Sequence, residues 1–186
     1  MRIIGGKFKG KSIEFLKSNI TRPLKDSVKE SIFNIIMHSR KIQIGLENSE
    51  VIDLYSGVGS FGLECISRGA KKVTFVERDK VAFQILERNL AKLSLKNDFK
   101  VFNEKIEIFF SRNLKDKYSL FFFDPPFLDE SFFNLFKKIK ERKIFKKDHL
   151  VILHREKNSN DDLNKFIESF MIKKYGRSKI IFGKFI

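Results

Sequence analysis

Hydrophobic positions in this 186-residue chain fall into two regimes, with the change near residue 50. From residue 51 onward, short unbroken apolar runs alternate with stretches of helical spacing. Val51-Ile52-Asp53-Leu54, Val73-Thr74-Phe75-Val76, Lys100-Val101-Phe102, Leu120-Phe121-Phe122-Phe123 and Leu150-Val151-Ile152-Leu153 read as strands. Ser60 to Ser67 reads as a helix stopped at Arg68-Gly69, and Asp79 to Leu93 as a second with Val81, Ile85 and Leu86 toward the core. Ile106 to Arg112 and Phe132 to Ile139 supply two more helices. Strands without polar alternation, interleaved with helices, predict a parallel sheet covered on both faces. After a short helix expected near Asp162–Ile167, Phe170-Met171-Ile172 and Lys179-Ile180-Ile181-Phe182 flank Tyr175-Gly176-Arg177-Ser178. That pattern predicts an antiparallel hairpin closing the sheet.

The first 50 residues read differently. Arg2-Ile3-Ile4, Gly5-Gly6 and Lys7-Phe8-Lys9-Gly10-Lys11-Ser12-Ile13 predict short strands joined by glycine turns. Pro23 can open a helix reaching His38, with Val28, Ile32, Ile35 and Ile36 at helical spacing. The polar stretch from Gln43 to Glu50 separates this lead-in from the alternating block. The expected division is residues 1–42 as an N-terminal extension and 43–186 as the main domain.

Composition narrows the class. The chain is 42% hydrophobic and 33% charged, a balance that folds. No apolar run approaches the roughly 20 residues of a membrane span, and the N-terminus lacks the apolar core of a signal peptide. Cys65 is the single cysteine, which excludes a disulfide framework or a cysteine metal cluster. No metal is expected; a cytoplasmic monomer is. The formal net charge of +15 attracts polyanions. Lys, Phe, Ile and Asn crowd the chain, as in any low-GC coding sequence, so position says more than the total. Residues 1–25 hold seven basic side chains against one acid, Glu14, which makes Arg2, Lys7, Lys9, Lys11 and Arg22 candidate nucleic-acid contacts. The stretch Lys137 to Lys147 reads instead as a solvated helix face and loop.

Two motifs carry chemistry. Asp53-Leu54-Tyr55-Ser56-Gly57-Val58-Gly59-Ser60-Phe61-Gly62 follows a strand and opens a helix, and Gly57, Gly59 and Gly62 spell G-x-G-x-x-G. Glu77 lies about 20 residues beyond Gly57, where an acid can hold both hydroxyls of a ribose. The glycines alone also fit a dinucleotide-binding oxidoreductase. Asp53 at the strand tip disfavours that reading, because it would repel a pyrophosphate. It would attract the ammonium and sulfonium of S-adenosylmethionine. The second motif is Asp124-Pro125-Pro126-Phe127, after the fourth strand. It has no role in hydride transfer, but it suits a planar amine. Phe127 would stack on a base turned out of its helix. Asp124 and the Pro125 carbonyl would accept the two amine hydrogens, and Pro126 would fix the direction of that carbonyl. His38, His149 and His154 read as ordinary residues.

Together these residues resemble the RsmD family of 16S rRNA guanine-N2 methyltransferases over almost the whole chain. Arg2-Ile3-Ile4-Gly5-Gly6 with Gly10-Lys11 is similar to the family's opening. Arg22-Pro23, Asp26, Val28, Glu30, Phe33 and Asn34 match its R-P-T-x-D-x-V-x-E-x-x-F-N stretch. Asp53 to Glu64 and Ser67-Arg68-Gly69-Ala70 follow its cofactor loop and first helix. Asp124-Pro125-Pro126-Phe127 and Tyr175-Gly176 complete the match. The resemblance implies an α/β, Rossmann-like class I S-adenosylmethionine-dependent methyltransferase: a mostly parallel seven-stranded sheet, a C-terminal antiparallel hairpin and a small N-terminal β/helix extension. It implies catalysis by Asp124 to Phe127. Cofactor contacts would come from Asp53, Tyr55, Ser56, Gly57, Gly59, Gly62, Glu77, Arg78, Glu104, Lys105 and Ile106. The substrate would be 16S rRNA, naked or in a small-subunit assembly particle. Leu24 departs from the family's usual Thr, and Lys105 stands where an Asp often approaches the adenine, leaving Asn103, Glu104 or backbone near Ile106 to serve. An adenine-N6 or cytosine-N4 methyltransferase, or a nucleic-acid-binding module with a degenerate pocket, remains an alternative.

Overall fold

The computed structural model describes residues 1–16, 24–93 and 99–186. The expected contact of Arg22 and helix start at Pro23 lie outside the described residues. The elements are α1 (Asp26–His38), β1 (Glu50–Leu54), α2 (Ser60–Ser67), β2 (Lys72–Val76), α3 (Lys80–Lys92), β3 (Phe99–Phe102), α4 (Ile106–Phe109), β4 (Tyr118–Phe123), α5 (Phe132–Arg142), β5 (Phe145–Glu156), β6 (Ile167–Tyr175) and β7 (Ser178–Phe185). Among them no helix is long and apolar enough to cross a membrane.

The strands form one seven-stranded sheet in the order β3-β2-β1-β4-β5-β7-β6. The first five strands run parallel, and β7 lies antiparallel between β5 and β6. The unbroken apolar runs have their cause in this arrangement. Leu120 and Phe122 of β4 face one layer, with Phe61, Leu86 and Ile32, while Phe121 and Phe123 face the other, with Phe136, Ile139 and Phe109. Alternate side chains of one strand thus enter two separate cores. Phe61 stacks on Phe122 at 3.9 Å and on Phe33 at 5.1 Å, so α1 joins the same core as the sheet.

Among its described residues the lead-in makes no strands; it has one isolated bridge, Arg2 to Ser12. Ile3 and Gly10 N–H donate across it to the Lys11 and Ile3 carbonyls at 3.0 and 2.9 Å, and Ile13 N–H to the Met1 carbonyl at 2.9 Å, while three further N–H groups reach α2. Lys7 N–H donates to the Ser67 carbonyl at 2.7 Å, Phe8 N–H to Ser67 Oγ at 2.9 Å, and Ile4 N–H to Glu64 Oε2 at 2.8 Å. Beneath it lies an ion cluster around the fully buried Lys29 and Glu64. The Lys29 ammonium donates to the Arg2 carbonyl at 2.8 Å and stands 3.9 Å from Glu64, whose other oxygen takes the Arg68 guanidinium at 2.8 Å. Burial pulls the Lys29 ammonium below the ordinary lysine range, against the raising pull of Glu64 and Asp26.

The expected helix near Asp162–Ile167 is a single turn, with Phe166 and Ile167 N–H groups both donating to the Leu163 carbonyl. One turn does not propagate, because Ile167 already pairs with Phe185 in the sheet. β5 is longer than its apolar centre predicted, since Lys146 to Asp148 extend it as a polar ribbon beyond the core.

Candidate functional site

β1 and β4 are neighbours, with Asp53 opposite Phe122 and Leu54 opposite Phe123. β2 lies on the far side of β1, and the next strand in the chain, β3, extends the sheet outward before β4 returns to the opposite flank of β1. Ligands of open α/β sheets bind beside such a reversal, at the carboxyl ends of the strands. Asp53, Glu77 and Asp124 all lie at that edge.

Asp53 is 1% exposed. Its Oδ2 accepts the Gly62 N–H at 2.9 Å, and its Oδ1 is buried without a partner among the described residues. Burial pushes its carboxyl well above the usual range; the Gly62 bond opposes this, and Asp124 and Glu77 add to it. The following loop turns sharply, with positive φ at Tyr55, Gly57 and Gly59. Gly62 is required by packing: a Cβ there would lie 2.2 Å from the Phe75 ring and 3.0 Å from Asp53 Oδ2. Glu77 closes the loop from β2, its Oε2 accepting the Gly57 N–H at 2.7 Å and its Oε1 the Asp79 N–H at 2.7 Å. The N-cap of α3 is Asp79, which accepts from Ala82 N–H, so Glu77 is free of that duty. Burial raises the Glu77 carboxyl as well, and its backbone hydrogen bonds counter the shift.

These residues fit a cationic nucleoside. Asp53 Oδ1, the Tyr55 hydroxyl and Ser56 Oγ are buried polar atoms without partners among the described residues, and all belong to this loop. The remaining cofactor candidates divide. Asn103 Nδ2 donates to the carbonyls of Glu77 and Arg78 at 2.9 and 3.3 Å, tying the β3 end to the β2 end. Glu104 is committed to a bidentate pair with Arg112, at 2.9 and 2.7 Å. Lys105 stands at the N-cap of α4 with its side chain exposed, and Ile106 is buried. Arg78 is exposed at the mouth.

Asp53 gives a pH dependence with a definite sign. Its folded pKa is raised, as is that of Glu77, so the ligand-free fold loses stability as pH climbs from about 4 through the raised values. A cation beside Asp53 favours the ionised form, so binding expels a proton wherever the free site holds one. We expect S-adenosylmethionine to bind more tightly as pH rises through the range in which the free site keeps the Asp53 proton. Calorimetry in buffers of different ionisation enthalpy measures the released proton, and Asp53→Asn is expected to abolish it. Affinity independent of pH would sink the assignment of Asp53 as the charge partner.

Asp124 follows β4, its N–H donating to the Leu54 carbonyl at 3.3 Å, beside the cofactor loop. Its Oδ1 takes His154 Nδ1 at 2.8 Å; its Oδ2 has no hydrogen-bond partner among the described residues. The His154 ring also meets the Phe127 ring edge-on at 5.6 Å. The Pro126 carbonyl accepts both the Asp129 N–H at 2.9 Å and the Arg155 guanidinium at 3.1 Å, whereas the Pro125 carbonyl has no partner among the described residues. Arg155 is itself buried, held bidentately by Asp161 at 3.1 and 3.0 Å and packed on the Phe132 ring. His154, Arg155 and Asp161 were not marked by the sequence motifs. His154 in particular is no ordinary residue, since it bonds the motif's carboxylate. Asn89 was also missed: its amide donates to the Val58 carbonyl in the cofactor loop at 3.1 Å and to the Glu14 carbonyl at 3.0 Å.

Arg2, Lys7, Lys9 and Lys11 are exposed, and the ammoniums of Lys7 and Lys11 flank the Phe8 ring at 5.5 and 5.1 Å. They are not gathered at the site. Arg2 lies near Ser60, where α2 starts, whereas Lys7 binds Ser67, where α2 ends. The seven rises of α2 from Ser60 to Ser67 separate those positions by about 10 Å.

A family model described as Conserved hypothetical protein 95 matches residues 1–184. Ribosomal RNA small subunit methyltransferase D of Haemophilus influenzae is 36% identical over 129 residues, covering 68% of this chain and 64% of its own. The protein of the same name from Buchnera aphidicola (Baizongia pistaciae) is 28% identical over 184 residues, covering 97% and 88%. The solved structure of yhhF from Escherichia coli superposes with a TM-score of 0.84 at 24% identity, over 100% of this chain and 97% of that one. SMU.776, solved with SAH, shares the fold at a TM-score of 0.66 and 13% identity, over 83% of this chain and 48% of that one. The fold is that of S-adenosylmethionine-dependent methyltransferases, and the chain belongs to the RsmD family.

Proposed function

We propose that this protein methylates the exocyclic N2 amine of a guanine in 16S rRNA, using S-adenosylmethionine. The observation that carries the reading is the free Oδ2 of Asp124 beside the free Pro125 carbonyl, next to a loop with unpartnered polar atoms fitted to a cationic nucleoside. S-adenosylmethionine supplies an electrophilic methyl group when bound. Asp124 Oδ2 and the Pro125 carbonyl each accept one hydrogen of the amine. Drawing both hydrogens to one side disfavours delocalisation of the nitrogen lone pair into the ring and aims it at the methyl carbon. Asp124 stabilises the positive charge that develops on nitrogen and lies in place to take the departing proton. Phe127, half-buried and braced by His154, offers its face to the base. The name shared by the Haemophilus and Buchnera relatives supports small-subunit rRNA as the substrate, and the resemblance of Arg22 to Asn34 supports guanine. The exposed bases from Lys7 to Lys11 would contact phosphates about one helix length from the flipped base, and Arg2 nearer to it.

Mass mapping of rRNA from cells with and without the gene tests this. One small-subunit guanine is expected to lose its N2 methyl when the protein is absent. Unchanged rRNA, or a lost methyl on adenine or cytosine, would overturn the reading.

A further inference from the structure

We propose that His154 is a positioning residue that sets the orientation of the Asp124 carboxylate for the acceptor amine; the inference rests on the role given to Asp124 above. Leu153 of β5 is in register with Phe123 of β4, so the next residues, His154 and Asp124, stand side by side at the ends of parallel strands. The ring is 6% exposed. An ionised carboxylate only accepts, so the 2.8 Å contact from Nδ1 to Asp124 Oδ1 requires the proton on Nδ1. In a neutral ring Nε2 is then a bare lone pair, and Nε2 is the atom left buried without a partner. An orphan acceptor is cheaper to bury than an orphan N–H, so the surroundings select the same tautomer that the carboxylate needs.

The consequence is geometric. A carboxylate rotates about its last torsion over a broad range. With Oδ1 tied to His154, rotation stops and Oδ2 stays turned to the open side of the site. The same ring meets the edge of Phe127, so one imidazole sets both the acceptor oxygen and the stacking plate. The neighbouring Arg155 holds the Pro126 carbonyl, so successive residues of β5 grip the motif at two points.

The test compares His154→Leu and His154→Asn with wild type, using 16S rRNA and small-subunit particles from cells lacking the gene, with labelled S-adenosylmethionine. Leucine fills the space and donates nothing. Asparagine places an N–H near the position of Nδ1. For His154→Leu the turnover rate is expected to fall about tenfold to a hundredfold, as for a misplaced catalytic group. KM for the RNA and affinity for S-adenosylmethionine stay within about threefold. His154→Asn is expected to recover most of the rate. An unimpaired leucine variant, or an asparagine variant as slow as leucine, overturns the proposal. Independently of either variant folding, nitrogen NMR of the wild-type imidazole is expected to show Nδ1 protonated and Nε2 bare; the opposite tautomer overturns it. Wild-type transfer to these RNAs together with an inactive Asp124→Ala shows that the role of Asp124 stands whatever His154 does.

Discussion

Asp124→Ala is expected to lower methyl transfer by about a hundredfold to ten-thousandfold, the range for loss of a charged acceptor at a reacting centre. Binding of S-adenosylmethionine should survive, because the cofactor loop is closed by Glu77 and Gly62, which do not touch Asp124. Asp124→Asn is the more discriminating change. In many sites an amide replaces a carboxylate at modest cost, since one oxygen remains. Here that oxygen is claimed by the Nδ1–H of His154. The amide nitrogen must then face the substrate amine, donor against donor. Turning the amide over presents its nitrogen to His154 and forces the other tautomer, with an N–H buried at Nε2 where no acceptor waits. Asparagine is therefore expected to be nearly as poor as alanine. Single-turnover transfer, measured beside calorimetric cofactor affinity, checks both halves of the expectation. Undiminished transfer by either variant would sink the mechanism.

The second large effect is on stability. Asp161→Ala leaves the Arg155 guanidinium, 2% exposed, with the Pro126 carbonyl and the Phe132 ring as its remaining partners. Removing one member of a buried pair costs about 3–5 kcal/mol, because the other charge stays desolvated. For a domain of this size that is a fall in melting temperature of roughly 6–20 °C. Burial alone would raise the Asp161 carboxyl, but the hydrogen bonds from Arg155 and Ser159 outweigh it and hold it below the usual range. Its contribution is thus present above pH of about 4 and fades as pH falls through the depressed value. In thermal melts the gap between Asp161→Ala and wild type is expected to narrow as pH falls below about 4. A parallel offset at all pH values would mean that packing, not charge, carries the effect. Replacing the pair together, as Arg155→Met with Asp161→Leu, should regain part of the loss in stability, since an apolar pair needs no counter-charge.

What could be read in advance was local. The turn from Asp53 to Gly62 and the corner at Asp124 to Phe127 each lie within one short segment, and their glycines and prolines dictate backbone shape by themselves. The alternation of elements was legible because β4 enters two cores and must be apolar throughout. His154, Arg155 and Asp161 were illegible for the opposite reason. They reach the Asp124 motif only through the pairing of β5 with β4, some 30 residues away in the chain, and their own sequence neighbours carry no turn or repeat. The placement of Lys7 to Lys11 was hidden too. Glycine turns suggested paired arms, and Ile3 and Ile13 do bond across to Lys11 and Met1, but the Ile4, Lys7 and Phe8 N–H groups go to the Glu64 and Ser67 oxygens of α2, a partner that periodicity cannot name. Between Asp162 and Ile167 the helical pattern lost to a strand whose register is fixed from β7.

The two outer strands have a bearing on how such a chain survives at high concentration. A sequence with 22 phenylalanines and a strand reading Leu-Phe-Phe-Phe is rich in segments that stack between copies. Among the described residues no strand lies beyond β3 or β6, and each of these sides is guarded. β3 has four residues and exposes Lys100. β6 is kinked by a shift in pairing between Ser169 and Met171 and exposes Glu168, Lys173 and Lys174. A strand approaching either side from another molecule would have to strip water from ammonium groups and match a short or bent ladder. The lysines at these margins thus act as gatekeepers against amyloid-like addition.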